Sequence, residues 1–175
     1  MKKIVLLIIL CVTTFVYAFS QNQYEVFSEK PNEKTYKGII SREVLLSDTS
    51  FKWYAANQAD YSPNSSAVEE LKKNADSIEL LVFMGTWCED SQFIIPKLFA
   101  LLDASNFPQD RVTLIGVDRS KKTLSHLCEA LNVVNVPTII ALKDGKELGR
   151  VVEYGTYGLF DKELGEIIHN ATAAR

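Results

Sequence analysis

Hydrophobic residues in this chain keep two different rhythms, and the change from one to the other marks out most of its elements. Ile78 to Met84 is an apolar run interrupted only by Glu79, the signature of a strand buried on both faces. Arg111 to Asp118 repeats that pattern, and Thr138 to Lys143 and Glu147 to Tyr154 give two more strands. Asp144-Gly145 between the last two is a strong hairpin signal, because both central positions of such a turn need positive φ. Helical spacing fills the gaps. A helix is expected from Cys88 to about Asp103, with Pro96 inside it. Another is expected from Thr123 to Leu131, with Leu124, Leu127, Cys128 and Leu131 on one stripe. A last one runs from Leu159 to about Asn170, turning Leu164, Ile167 and Ile168 inward.

Upstream the pattern is harder to read. Tyr36 to Leu46 suggests a strand, through Gly38-Ile39-Ile40 and then Val44-Leu45-Leu46. Ser47-Asp48-Thr49-Ser50 offers helix caps before Phe51 to Ala56. The aromatic group of Phe51, Trp53, Tyr54 and Tyr61 reads as core in preference to the lining of a groove. Ser62-Pro63-Asn64-Ser65-Ser66 is a turn and cap leading into a short helix, Ala67 to Asn74. From residue 78 onward the order is strand, helix, strand, helix, strand, strand, helix. A strand–helix–strand crossover forces a parallel pair, and the hairpin adds an antiparallel edge. The expected fold is α/β, with a mixed central sheet between helices.

The first 20 residues follow neither rhythm. Met1-Lys2-Lys3 precedes an apolar run from Ile4 to Phe19, with small-residue cleavage patterns at Val16-Tyr17-Ala18 and Ala18-Phe19-Ser20. This reads as a signal peptide cut before Gln21, which makes the mature protein periplasmic or secreted. An uncleaved anchor is the alternative and would bring a membrane in as partner, although the run is shorter than the ~20 residues of a comfortable span. Cys11 lies in the middle of that run behind Leu10, a poor lipidation context. The expected division is therefore 1–20 signal peptide, 21–62 an N-terminal extension packing on the domain, and 63–175 the domain itself.

Removing residues 1–20 takes away two lysines and no acids, so the net charge of −3 becomes −5. With no basic stripe, nucleic acid is not an expected partner. Only Cys88 and Cys128 remain after cleavage, which excludes a disulfide scaffold. His126 and His169 have no acid or cysteine at ligand spacing, so no metal site is expected. Neither carries a motif for catalysis, and both are expected at the surface.

Cys88 stands where a buried strand gives way to a helix. There the free N–H groups and positive end of the helix dipole favour the thiolate, which is the nucleophilic form. Ser91, one turn on, is placed to donate a hydrogen bond to the sulfur. Glu89 and Asp90 suit the dipole but oppose a second negative charge, and Arg119, at the same sheet edge with Asp118, is placed to offset them or to hold a substrate carboxylate. Cys128 shares the apolar stripe of its helix and reads as a small buried hydrophobe rather than a second reactive thiol.

Trp87-Cys88, Pro96, Val136-Pro137-Thr138 and Gly155, in this order of elements, resemble the thioredoxin-fold family over roughly Ala67 to Asn170. The resemblance implies a three-layer α/β/α thioredoxin-like fold. It makes Cys88 the attacking cysteine, Pro137 the cis-proline, and Trp87, Val136 and Pro137 the walls of a substrate groove in which the Val136 main chain pairs with an extended segment. Two positions depart from the family. Ser91 stands where the resolving cysteine is expected, and Val82 where dithiol thioredoxins keep a buried acid. A chain with Cys88 alone can form a mixed disulfide but has no neighbouring thiol to release it. The expected function is that of a monothiol exchange protein of isomerase or monothiol reductase type, needing no cofactor beyond glutathione or another small thiol as co-substrate. Its expected partners are cysteine-containing exported proteins or a redox relay, and it is expected to be a monomer. A redox-inactive peptide-binding module on the same fold is the alternative.

Overall fold

A computed structural model describes residues 23–31 and 33–173. The proposed signal peptide, with Cys11, lies outside the described residues. The described residues form six strands: β1 (Tyr24–Phe27), β2 (Thr35–Ile40), β3 (Glu79–Met84), β4 (Val112–Gly116), β5 (Thr138–Lys143) and β6 (Lys146–Val152). Among the described residues six α-helices accompany them: α1 (Arg42–Ser47), α2 (Trp53–Gln58), α3 (Ser65–Lys73), α4 (Glu89–Ala104), α5 (Leu127–Ala130) and α6 (Phe160–Ala173).

All six strands form one mixed sheet in the order β1-β2-β4-β3-β5-β6. The β3–β4 pair is parallel, with Val82 opposite Leu114, and the other four pairings are antiparallel. β3 and β4 therefore end at the same edge, where Met84 lies opposite Gly116, and the loops carrying Trp87-Cys88 and Asp118-Arg119 leave the sheet side by side. Asp144 and Gly145 take φ of 50° and 71° in the β5–β6 turn, as its sequence requires.

Helices cover the two sheet faces unequally. Side chains alternate along β3, so Leu80, Val82 and Met84 face one core and Phe83 the other. The larger core receives Leu45 from α1, Tyr54 from α2, Leu71 from α3, Leu98 and Leu102 from α4, and Leu164 and Ile168 from α6. The opposite core is smaller, built on Phe83, Ile115, Val117 and Ile140 and closed by Cys128 of α5 with Val133 and Val136 of the following loop. Helices α3 and α6 touch closely at Gly165, where an added Cβ would lie 2.7 Å from the Ala67 Cα.

Residues 24–58 are part of this architecture. β1 and β2 extend the sheet, and α1 and α2 cover the larger core. Tyr24, Tyr36, Phe51, Trp53 and Tyr54 form a chain of aromatic contacts with centroids 5.2–5.9 Å apart, so Phe51, Trp53 and Tyr54 pack in the core as expected, whereas the partly buried Tyr61 packs at its margin and lines a cleft. Two expected elements are corrected. Val44-Leu45-Leu46 is helical, because the Ser41 hydroxyl caps α1 by accepting from the Val44 N–H. The expected helix from Thr123 to Leu131 is a 3₁₀ turn at Leu124–His126 followed by the four-residue α5, because Ser125 and His126 both take φ of 54° and break the helix. Its apolar side chains Leu127, Cys128 and Leu131 still pack on the sheet.

Candidate functional site

The loop between β3 and α4 is fixed from several directions. Gly85 lies against the Trp87 indole so closely that a Cβ would sit 2.6 Å from the ring, so this position accepts no larger residue without displacing the tryptophan. The Trp87 indole N–H donates to the Val117 carbonyl at 3.0 Å. The Thr86 hydroxyl donates to the Lys34 carbonyl at 2.7 Å and accepts from the Tyr36 N–H at 3.2 Å, which pins the loop to the start of β2. Gln92 reaches back from α4, its side-chain amide donating to the Thr86 carbonyl at 2.8 Å.

Cys88 is the N-cap residue of α4, with φ −94° and ψ 122°. Its N–H donates to the Gly85 carbonyl at 3.0 Å, and its own carbonyl accepts the first helical bond, from the Gln92 N–H at 2.9 Å. The side chain is half-buried and carries no disulfide. Its thiol donates to the Val136 carbonyl, with Sγ 3.3 Å from the oxygen. The Val136–Pro137 peptide bond is cis. The Pro137 carbonyl is held by the Glu153 N–H at 2.7 Å, so the loop before β5 is anchored to the end of β6. Sulfur, tryptophan and cis-proline loop thus form one surface. Pro96 lies mid-helix and leaves the Gln92 carbonyl without its usual N–H donor.

The expectation for Ser91 is corrected. Its side chain is fully buried, and its hydroxyl accepts from the Gly85 N–H at 3.1 Å. The sulfur's hydrogen-bond partner is the Val136 carbonyl instead. Ser91 ties the start of the loop to the first turn of α4, a positioning role.

The expectation for Arg119 is corrected as well. Its guanidinium lies over the Trp87 ring at 5.0 Å and forms a two-point ion pair with Glu33, while its main-chain N–H donates to Glu29 at 3.2 Å. The bond to Glu33 raises its pKa further. Its charge is thus directed at the extension and not at Glu89 or Asp90. Asp118 is held by Lys37 at 2.8 Å and by the Lys122 N–H at 2.9 Å, and although burial opposes it, these contacts lower its pKa. Glu89 is exposed. Asp90 accepts a hydrogen bond from the Tyr154 hydroxyl at 2.9 Å, which raises the tyrosine's pKa.

Glu33, Gln92 and Tyr154 belong to the site and have no local signal in the sequence. Glu33 lies 86 positions from Arg119, and Tyr154 lies 64 from Asp90. Cys128 is buried in the smaller core, and that burial pushes its thiol pKa up to about 11. His126 is exposed, and His169 is a surface residue paired with Glu70 at 3.0 Å.

The Thioredoxin family model matches residues 62–162, which takes in Trp87, Cys88, Pro96 and Pro137. The chain belongs to the thioredoxin family. It is 34% identical over 90 residues to a thioredoxin of Chlamydia pneumoniae, across 51% of this chain and 78% of that one. It is equally 34% identical over 80 residues to an H-type thioredoxin of Oryza sativa subsp. indica, across 46% of this chain and 61% of that one. Among solved structures, the thioredoxin of Fasciola hepatica aligns with a TM-score of 0.40 at 23% identity, covering 59% of this chain and 88% of that chain. Strands β1 and β2 and helices α1 and α2 precede the matched residues.

Proposed function

We propose that this protein is an exported thiol–disulfide exchange protein that works through Cys88 alone. Membership of the thioredoxin family supports the redox class. The observation that carries the single-cysteine reading is the placement of the half-buried Cys88 sulfur at a helix start, 3.3 Å from the Val136 carbonyl, with a buried serine one turn away.

The chemistry follows from that arrangement. In the resting thiol the S–H donates to the Val136 carbonyl. Loss of the proton removes this donor, leaving the carbonyl free to accept from the main chain of an extended substrate. The Cys88 thiolate attacks one sulfur of a substrate disulfide. A bond forms between Cys88 and that sulfur, and the other substrate sulfur departs as a thiolate with the electron pair of the broken bond. Ser91 has no sulfur with which to reverse this. Release therefore comes from outside the chain. Attack on the mixed disulfide by the departing thiolate restores the original disulfide, attack by another substrate thiolate gives a rearranged disulfide with no net redox change, and attack by a small thiol such as glutathione puts that thiol in the protein's place; each frees Cys88 as the thiolate. The amino-terminal run of Ile4 to Phe19 supports export, and with it cysteine-containing exported proteins as substrates.

The test is repair of a scrambled disulfide-bonded protein in a mixed thiol–disulfide buffer. The mature protein is expected to accelerate recovery of the native pairing, and Cys88→Ser is expected to abolish the acceleration. Equal acceleration by Cys88→Ser would overturn the proposal.

A further inference from the structure

A cleft of about 350 Å³ opens along α4 beyond Cys88. Phe93 and Lys97 of α4 line it together with Tyr61, Tyr154, Leu159 and Asp161. Three large apolar side chains stand at its edge in solvent: Phe93 is 38% exposed, Tyr154 37% and Leu159 51%. The Phe93 and Tyr154 rings are 5.7 Å apart, and Tyr154 also holds Asp90, two residues from the sulfur. The cleft and the Cys88 surface therefore share a wall.

Lys97 gives the cleft its charge. Its ammonium lies 3.1 Å from the Phe93 ring centroid and 5.7 Å from that of Tyr61. Among the described residues it forms no ion pair. Asp161 also lines the cleft, but its carboxylate lies beyond ion-pair distance of Lys97 and is turned to the Tyr61 hydroxyl at 2.7 Å, the Asn64 N–H at 2.8 Å and the Lys162 N–H at 2.7 Å. Burial lowers the Lys97 pKa from its ordinary value, as for a cation partly withdrawn from water. Aromatic walls around an uncompensated ammonium complement a ligand with an apolar side chain next to an anion.

Length selects the kind of ligand. A helix rises ~1.5 Å per residue, so Phe93 and Lys97 stand about 7 Å and about 13 Å along α4 from Cys88. An extended chain advances ~3.3 Å per residue, so it reaches those points two and four residues from its own cysteine. Glutathione has one residue on either side of its cysteine and falls short of Lys97.

We propose that this cleft is a specificity subsite for polypeptide disulfide substrates, taking an aromatic or large apolar side chain two residues from the reacting cysteine and a carboxylate four residues from it. The proposal rests on the reading of Cys88 as the nucleophile and adds the substrate class.

Short peptides carrying one cysteine as its 2-pyridyl disulfide test it. Attack by Cys88 joins the peptide to the protein and releases pyridine-2-thione, whose absorbance gives the rate. Peptides with Phe and Glu at the two offsets, placed toward either terminus, are compared with Ala and Gln counterparts and with the 2-pyridyl disulfide of glutathione. The Phe/Glu pattern is expected to react about fivefold faster in at least one direction, as for a partly desolvated ion pair with an apolar contact. Lys97→Gln and Phe93→Ala should each reduce that preference and leave the glutathione rate unchanged. Equal rates for both patterns, or a preference untouched by Lys97→Gln, would overturn the subsite. If no probe reacts, the nucleophile reading fails instead. Anisotropy binding of the same peptides with serine for cysteine then decides the subsite alone: a Phe/Glu preference sustains it and none refutes it.

Discussion

The Ser91 hydroxyl accepts a hydrogen bond from the Gly85 N–H at 3.1 Å, closing the loop that carries Trp87 and Cys88. A buried oxygen at this position is therefore structural. Ser91→Ala leaves the Gly85 N–H without its partner and is expected to cost about 1–3 kcal/mol of stability, read by denaturant unfolding. Ser91→Cys is expected to form a disulfide with Cys88 and to reduce insulin faster than wild type. An insulin assay in which wild type and variant are equally active would contradict that.

Cys128 predicts a difference between the two thiols. Its burial raises its pKa from 9.0 to about 11, so the folded protein keeps a proton that the unfolded chain loses. The resulting stabilisation is complete below about pH 9 and is lost as the pH rises toward 11. Unfolding curves across this range should show a steeper loss in wild type than in Cys128→Ala. Iodoacetamide at pH 8 should label Cys88 and spare Cys128, as peptide mapping will read.

Glu33 links the β1–β2 loop to the site through Arg119 and Trp87. Glu33→Gln should release the guanidinium and speed amide hydrogen exchange in the loop between β1 and β2, with little change in the core. Added salt should produce a milder version of the same effect in wild type, because the pair is partly exposed. Exchange indistinguishable from wild type in the variant would show that the ion pair does not hold the loop.

Asp161 does the corresponding work at the start of α6. It is 7% exposed and accepts from the Tyr61 hydroxyl and the Asn64 N–H, joining the turn before α3 to α6. Asp161→Ala strands three donors, the Tyr61 hydroxyl and the Asn64 and Lys162 N–H groups, and is expected to destabilise by roughly 2–4 kcal/mol, with Asp161→Asn costing less because its amide oxygen still accepts. Urea unfolding midpoints give the order.

Gly165 limits how closely α3 and α6 approach. With a Cβ 2.7 Å from the Ala67 Cα, Gly165→Ala must push the helices apart. The expected result is a lower Tm despite the higher helix propensity of alanine.

Much of this architecture was legible because its signals are local. β3 and β4 announce themselves as buried apolar runs, the β5–β6 turn by Asp144-Gly145, and Cys88 by its place at a strand–helix junction. Val44-Leu45-Leu46 misled because three apolar residues fit a strand and a short helix equally, and the Ser41 cap decided between them. Residues 123–131 misled because their stripe is real, but left-handed Ser125 and His126 break the helix that it suggests. At the site, Cys88 could be placed from its strand–helix junction, and Trp87, Val136 and Pro137 from the resemblance to the thioredoxin-fold family. The true partners of Ser91 and Arg119 could not, since Gly85 and Glu33 are brought to them by the closed loop and by a hairpin far upstream.

The most direct test of single-cysteine chemistry is the intact mass of the reduced mature protein mixed with one equivalent of a small protein whose single cysteine is carried as its 2-pyridyl disulfide, with no added thiol. A one-to-one adduct through Cys88 is predicted, stable until glutathione is supplied, unchanged in Cys128→Ala and absent in Cys88→Ser. Failure to form an adduct, or its spontaneous release with a Cys88–Cys128 disulfide left behind, would contradict the claim that a single sulfur does the chemistry.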